Sequence, residues 1–128
     1  DDIIQPGHIN PDLVRYEKHR VWVVEANLKD NTRHTYKKRV FYIDEDSWQI
    51  AIADIYDNRD ELYRVAVAHG LNYYEVPTQW STLEVYHDFQ SRRYIAMGLD
   101  NEAKMYDFSA KLKHKNFTPS ALRREGRR

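Results

Sequence analysis

The sequence predicts a mainly β fold, an antiparallel meander of about six strands followed by a short C-terminal helix. Runs rich in β-branched and aromatic residues alternate with short polar turns, a pattern typical of consecutive strands. Short connections make each strand the antiparallel neighbour of the next one. Before residue 100, apolar residues do not recur with the period of a helix.

The chain divides into three segments, of which the second builds the sheet domain. Residues 1–16 are polar and rich in turn-forming residues, and we expect them to form an extended arm. Residues 17–108 form the predicted antiparallel sheet, in which Gly70 is a position where the longest strand can bulge or bend. The predicted strands are 19–28, 34–43, 48–56, 61–76, 81–90 and 93–99.

The third segment, 109–128, is predicted to be a basic tail with one short helix. Thr118 is a favoured N-cap residue, Pro119 a favoured first helical residue, and Gly126 a stop signal. Residues 111–128 carry seven Lys or Arg against one acid, whereas the rest of the chain has a net charge of −6. Such a tail can contact the acidic body of the protein, an anionic membrane surface or nothing.

The composition limits the class of protein. The 128 residues are 41% apolar and 31% charged with no net charge, which is typical of one globular domain with a modest core. The absence of cysteine excludes disulfides, zinc–thiolate sites and thiol catalysis. No apolar run reaches the roughly 18 residues of a membrane span. Because the chain opens with Asp rather than Met, we expect a processed chain or part of a longer protein.

Several of the predicted strands are apolar on both faces. In 61–76 the odd positions form an apolar stripe, while the even positions are small or amphipathic, as at Ala66, Ala68 and Gly70. One short helix cannot cover both faces of a six-stranded sheet. We therefore expect the second face to contact further chain, a second copy of the protein or an apolar ligand.

Four stretches of the sequence carry a family resemblance. They are RYEKHRVWVVEANL, KRVFYIDEDSWQIAIADIYDNRDELYRV, NYYEVPTQWSTLEVYHDFQSRRYIAMGLDNE and the ending FTPSALRREGRR. From about Arg15 onward the chain resembles the C-terminal part of the proteobacterial domain-of-unknown-function family 1329, whose members are often labelled outer membrane lipoprotein-sorting protein. The strand, acidic turn and strand of FYIDEDSWQI and ADIYD are also similar to the wider superfamily of the periplasmic lipoprotein carriers LolA and LolB.

The resemblance implies a curved, half-barrel sheet that forms one side of an apolar cavity, with its covering helices in a longer parent protein. It also implies a periplasmic or outer-membrane-associated protein of the Gram-negative envelope that binds a lipid, an acyl chain or another hydrophobic ligand. The predicted cavity residues are Trp22, Val24, Trp48, Ile50, Ile52 and Tyr74. Alternation alone does not decide which face lines the cavity, because a one-residue register error exchanges the faces.

Other site chemistries lack their sequence signatures. The six His show no spacing that places three metal ligands together, and we predict no metal site. Most acids occur where turns favour Asx side chains, and neither a nucleophile elbow nor a phosphate-binding loop is present. We therefore predict no catalytic residues, no cofactor and no enzyme activity. Nucleic acid is not a predicted partner either, since the sheet segment carries the acidic excess, which repels phosphate.

Two functional hypotheses follow. The first is a non-enzymatic envelope protein whose sheet binds a hydrophobic ligand, as in lipoprotein sorting or lipid transport. The alternative is a structural module whose apolar face packs on a partner, or on a second copy through the exposed edges 19–28 or 93–99. Ile52→Asp is expected to abolish ligand uptake under the first hypothesis and to change the oligomeric size under the second.

Overall fold

A six-stranded antiparallel sheet dominates the computed structural model, which describes residues 2–100 and 106–126. Two short strands, β1 and β2, precede this sheet, and the order of β3 to β8 in the sheet follows the chain. The sheet is open, with β3 and β8 as its edges, so the predicted six-stranded meander is confirmed. The strands are β1 Ile4–Gln5, β2 His8–Ile9, β3 Val21–Asn27, β4 Lys38–Asp44, β5 Ile50–Tyr56, β6 Leu62–Tyr73, β7 Thr78–Asp88 and β8 Arg93–Gly98.

Two strands begin later than the sequence predicts because local hydrogen bonds form turns instead. β4 begins at Lys38 rather than at residue 34, since the Tyr36 N–H donates to His34 Nδ1 at 2.9 Å. β5 begins at Ile50 rather than at residue 48, since Trp48 has a positive φ of 58° and its N–H donates to the carbonyl of the residue that ends β4. A residue in the left-handed region interrupts the regular extended backbone of a strand.

Three β-bulges interrupt the pairing of the strands. The register shifts between Tyr42 and Ile43, between Ile55 and Tyr56, and between His69 and Gly70. The bulge predicted near Gly70 is therefore present, although its extra residue is Thr82 on the neighbouring strand β7. An extra residue bends its strand and increases the local twist, so these positions shape the surface of the sheet.

The pairing register assigns each residue to one of two faces, because paired residues point to the same side. We call one side the cavity face and the other the arm face. The central row of the cavity face consists of Val24, Phe41, Ala53, Ala66, Tyr86 and Ile95. The corresponding row of the arm face consists of Val23, Tyr42, Ile52, Val67, Val85 and Ala96.

The N-terminal arm is a folded hairpin rather than the extended segment that the sequence predicts. β1 pairs with β2 through the turn Gln5–Pro6–Gly7–His8. Gly7 has a φ of +84°, and proline followed by a left-handed glycine is the combination that a type II turn favours. A single turn of 3₁₀ helix, Pro11–Leu13, follows the hairpin.

The hairpin packs on the arm face over β7 and β8. Ile9 is buried against Leu83 and Val85, and Val85, at 1% exposure, is the most buried large side chain of the described residues. The Tyr94 hydroxyl donates to the Gln5 carbonyl at 2.7 Å and fixes the hairpin to the sheet. Apolar burial and one hydrogen bond thus give the arm a defined place on this face.

The rest of the arm face is not covered by the described residues. The arm reaches β6 through the ring of Tyr16, whose centre lies 5.8 Å from that of His69 in an edge-to-face arrangement. Burial lowers the pKa of His69, which favours its neutral form there. Further along the same face, Val23 is 63% exposed and Ile52 is 39% exposed. In the described part of the chain, the arm face near β3 is therefore open to solvent.

The predicted C-terminal helix is confirmed as α1, Pro119–Glu125. The Thr118 hydroxyl oxygen accepts a hydrogen bond from the Ala121 N–H at 3.3 Å, and Gly126 caps the other end. Arg127 and Arg128, which belong to the predicted basic tail, lie outside the described residues. None of the helices in the described part of the chain has the length and apolar character needed to cross a bilayer.

Candidate functional site

An open cavity of about 510 Å³ lies on the cavity face, over β4 to β7. Its volume is within the roughly 300–1,000 Å³ typical of small-molecule sites. The floor of the cavity consists of small residues, which leave space above the sheet where larger side chains would fill it. These floor residues are Ala51, Ala53, Ala66, Ala68 and Gly70.

Large apolar and aromatic side chains form the walls of the cavity. Several of them, including Trp48, Ile50 and Trp80, stay substantially exposed to solvent. Exposed apolar side chains grouped around a hollow mark a binding surface more often than isolated ones do. The wall residues are Tyr36, Phe41, Trp48, Ile50, Ile55, Trp80 and Tyr86.

The turn between β4 and β5 places a tryptophan pair at the rim of the cavity. The buried carboxylate of Asp44 accepts hydrogen bonds from the Ser47 N–H at 2.9 Å and from the Ser47 hydroxyl at 2.6 Å. These bonds set the turn in which Trp48 takes its left-handed conformation. The Trp48 ring then stacks on Trp22 of β3, with 6.5 Å between the ring centres and 16° between their planes.

His19, Asp44 and Asp46 are the described residues that come nearest to a metal-binding arrangement. One ligand atom from each lies within 4.8 Å of the others. His19 Nδ1 is 2.9 Å from Asp44 Oδ1, and this hydrogen bond raises the pKa of His19. The Ser47 hydroxyl is the largest contribution that lowers the pKa of Asp44. The contacts of Asp44 are therefore explained by the turn, and the absence of a metal stays a prediction.

The bulge in β5 decides which of the predicted isoleucines faces the cavity. Ile52 pairs with Tyr42, but Ile50 pairs with the next residue, Ile43, so that Ala51 is the extra residue. Ile50 therefore lines the cavity together with Ala51, whereas Ile52 points to the arm face. Strict alternation along the sequence would place Ile50 and Ile52 on one face.

The structure brings together four of the six predicted cavity residues. Trp48 and Ile50 line the cavity, and Trp22 and Val24 lie beside it on the same face of β3. Ile52 lies on the opposite face. Tyr74 lies in the turn after β6 and is 83% exposed, away from the cavity. The prediction that Ile52 and Tyr74 line the cavity is therefore corrected. The bulge in β5 turns Ile52 to the arm face, and β6 ends at Tyr73, before Tyr74.

Sequence reasoning did not select several of the lining residues. The alternation of Ala66, Ala68 and Gly70 was the available signal, because it indicates a surface that another molecule can approach closely. For Phe41 and Trp80, the sequence does not distinguish a cavity wall from an ordinary core position. They line a cavity because the hairpin covers the opposite face of the sheet, and this packing is visible only in the structure.

Charged residues occupy one end of the cavity face. Arg39, Arg64, Asp88 and Arg93 lie in one row across β4, β6, β7 and β8. Arg64 donates to Asp88 Oδ2 at 2.9 Å and to the Tyr36 hydroxyl at 2.6 Å. The Ser91 N–H, followed by Arg64, lowers the pKa of Asp88 to about 2, so this carboxylate is ionised at neutral pH. The network fixes the Tyr36 ring at this end.

The fold and the cavity together define an open antiparallel sheet domain with an apolar hollow on one face. The chain belongs to the family described as Protein of unknown function (DUF1329), whose family model matches residues 1–123. This confirms the family that the strand sequences resemble. An uncharacterized protein of Pseudomonas aeruginosa is 52% identical over 126 residues, which cover 98% of this chain and 28% of that protein.

Two solved structures share this fold. One is a domain from Vibrio parahaemolyticus described as an outer membrane lipoprotein-sorting protein, with a TM-score of 0.60, 16% identity and coverage of 84% of this chain and 43% of that one. The other is a DUF1329 family protein from Desulfovibrio piger, with a TM-score of 0.54, 18% identity and coverage of 80% and 40%. The chain thus spans less than half the length of each of these relatives.

Proposed function

We propose that this domain binds a hydrophobic molecule, a lipid or an acyl chain, in the cavity of the cavity face. The observation that carries the proposal is a cavity with a floor of small residues and aromatic walls. In a core of ordinary packing density, larger side chains would fill such a space. An apolar ligand would take their place and remove the exposed wall residues from water.

The energy available for such binding is large. Each methylene group removed from water contributes about 0.8 kcal/mol, so that about ten of them contribute roughly 8 kcal/mol before the entropic cost of binding. A site of this type needs no special polar motif, because the hydrophobic effect is not directional. This is why a hydrophobic carrier can lack any recognisable catalytic or binding signature.

The proposed role is non-enzymatic. Two acidic residues of the described part of the chain line the cavity, Asp44 and Glu84, and both carboxylates have structural partners: Asp44 organises its turn, and Glu84 accepts a hydrogen bond from the Tyr86 hydroxyl at 2.5 Å. The fold shared with the Vibrio lipoprotein-sorting domain supports a role in the bacterial cell envelope. We propose that the parent protein acts there in lipoprotein sorting or lipid transport.

A cavity-filling substitution tests the proposed site. Ala66 lies at the centre of the cavity face, with Ala53 and Tyr86 as its cross-strand neighbours. Ala66→Phe is expected to occupy the space and to weaken binding of the neutral fluorescent probe N-phenylnaphthylamine by at least about tenfold. The measurement is a fluorescence titration of protein purified without detergent, together with the urea midpoint of unfolding to show that the variant is folded.

The matched control for this test is Ile52→Phe, which adds an aromatic ring on the opposite face of the neighbouring strand. It is expected to leave probe binding unchanged. Because Ile52 lies on the arm face, Ile52→Asp would not report on the cavity. Probe binding that survives Ala66→Phe with wild-type affinity, or a wild-type protein that does not bind the probe, would contradict the proposed site.

The free edge of the sheet favours a second candidate, an assembly interface. Trp22, Val23 and Val24 of the edge strand β3 are consecutive, apolar and exposed, and an unpaired apolar edge is a template for another strand. We expect Val23→Lys to convert any dimer to a monomer in sedimentation velocity at micromolar concentration. A wild-type protein that sediments as a monomer would exclude self-assembly through this edge.

A further inference from the structure

Arg39 is the one arginine among the described residues that lines the cavity. It lies on β4 and is half-buried, between Ala26 of β3 and Ile55 of β5 on the same face. Its guanidinium carbon lies 4.9 Å from the centre of the Tyr36 ring, which is a cation–π contact. This stacking holds the charged group at one end of the apolar hollow.

The Arg39 guanidinium has no hydrogen-bond or ion-pair partner among residues 2–100 and 106–126. None of the ion pairs formed by these residues includes Arg39, and none of their side-chain hydrogen bonds comes from it. By contrast, Arg64 in the same row donates to Asp88 and to two tyrosine hydroxyls. A guanidinium has five N–H donors arranged to match a carboxylate or a phosphate.

The platform beneath Arg39 is held in place by neighbouring groups. Arg64 Nη1 donates to the Tyr36 hydroxyl at 2.6 Å, and Asp88 in turn fixes Arg64. The Tyr36 ring also lies close to that of Tyr63, with 6.0 Å between their centres. A binding group whose support is already ordered loses less entropy when its ligand arrives.

The charges on the cavity lining are separated along the strands. Arg39 lies at one end, while Glu84 and Asp44, the acidic lining residues of the described part of the chain, lie toward the other end. Glu84 pairs with Ala68 of β6, and Arg64, four residues earlier on β6, lies in the row of Arg39. At the rise of a strand, four residues correspond to roughly 13 Å. Asp44 is the last residue of β4, beyond the apolar residues that follow Arg39. An anionic group would therefore be favoured at the Arg39 end and disfavoured at the other.

We infer that the ligand is an amphiphile with an anionic headgroup, a carboxylate or a phosphate, that binds Arg39 while its apolar chain extends over the floor of small residues. This inference rests on the proposed function and deepens it, because it names the class of the hydrophobic ligand. It also gives the ligand one orientation, with the headgroup beside Tyr36 and the chain directed toward Ile50 and Trp48.

The test compares ligands that share one chain and differ in their headgroup. Laurate, dodecyl phosphate and dodecanol are each titrated at neutral pH against the protein carrying bound N-phenylnaphthylamine. We expect the two anionic amphiphiles to displace the probe at concentrations about tenfold lower than dodecanol does. Acetate and inorganic phosphate are expected not to displace it, which distinguishes an amphiphile site from a site for a free anion.

The matching variants are Arg39→Gln and Arg93→Gln. Arg39→Gln is expected to remove the preference for the anionic amphiphiles while dodecanol binds as before. Arg93→Gln, which removes an arginine of the same row that does not line the cavity, is expected to retain the preference.

Wild-type protein that binds all three amphiphiles equally, or a preference that survives Arg39→Gln, would overturn the inference and leave the apolar site intact. Displacement by free phosphate would also overturn it. Wild-type protein that binds neither probe nor amphiphile would instead refute the proposed function itself.

Discussion

Replacing Gly98 with alanine is expected to lower the free energy of unfolding by about 3 kcal/mol, because strain and steric overlap both act at this position. Gly98 ends β8 with a φ of +97°, a conformation that residues with a Cβ rarely adopt. A Cβ there would lie 2.4 Å from the carbonyl oxygen of Thr82, the extra residue of the β7 bulge. The backbone of the bulge cannot move away without breaking the pairing of β7 with β6 or β8.

Gly7→Ala provides the matched control for Gly98→Ala. Gly7 also has a positive φ, +84°, but a Cβ there would meet no atom within 4 Å. This substitution therefore isolates the conformational cost, which we expect to be about 1 kcal/mol. Urea unfolding followed by circular dichroism measures both variants. Equal losses of stability in the two variants would show that the close approach of Thr82 has no energetic effect.

Replacing Ile9 with alanine is expected to destabilise the protein by about 3 kcal/mol, within the range for large-to-small core substitutions. Ile9 is the residue through which the hairpin enters the main core, since it is 7% exposed and packs on Leu83 and Val85. Alanine would leave a cavity over the most buried part of the sheet. The change in the urea midpoint measures the loss, and limited proteolysis reports whether the hairpin detaches first.

Ile4→Ala is the control on the same hairpin. Ile4 is the cross-strand partner of Ile9 but is 45% exposed, so its truncation is expected to cost less than about 1 kcal/mol. If Ile9→Ala and Ile4→Ala were equally mild, the hairpin would not contribute to the stability of the sheet. Faster cleavage of the arm in Ile9→Ala alone would locate the loss at its docking surface.

The features that local sequence determines were predicted correctly. The six strands of the sheet lie near their predicted positions, although β4 and β5 begin later than predicted. The acidic turns between them follow short-range chemistry, since Asp44 and Asp57 accept hydrogen bonds from backbone N–H groups of their own turns. The helix at the end of the chain has the cap that Thr118 and Pro119 indicate. These elements depend on neighbours a few residues apart, which a single sequence contains.

The composition of the cavity was less predictable because it depends on long-range packing. The extra residue Ala51 reverses the facing of Ile50 relative to Ile52, and no property of the sequence IAIADIY marks the bulge. The covered face is chosen by the docking of the N-terminal hairpin, whose partners are separated from it by more than seventy residues of chain. Arg39 belongs to a run of basic residues that resembles an ordinary solvated edge.

The uneven burial of the two faces of the sheet has a thermodynamic consequence. In the described part of the chain, the buried apolar residues are Ile9, Ala53, Leu83, Val85 and Ala121, and three of these form the cluster where the hairpin packs on the sheet. The cavity side therefore resembles one half of a core whose other half is supplied from outside. If a ligand supplies it, occupancy and folding become linked, and a ligand at a hundred times its Kd would add about 2.7 kcal/mol to the stability of the loaded domain. The loaded protein would then resist unfolding and proteolysis, whereas the empty protein would be the form that a protease removes.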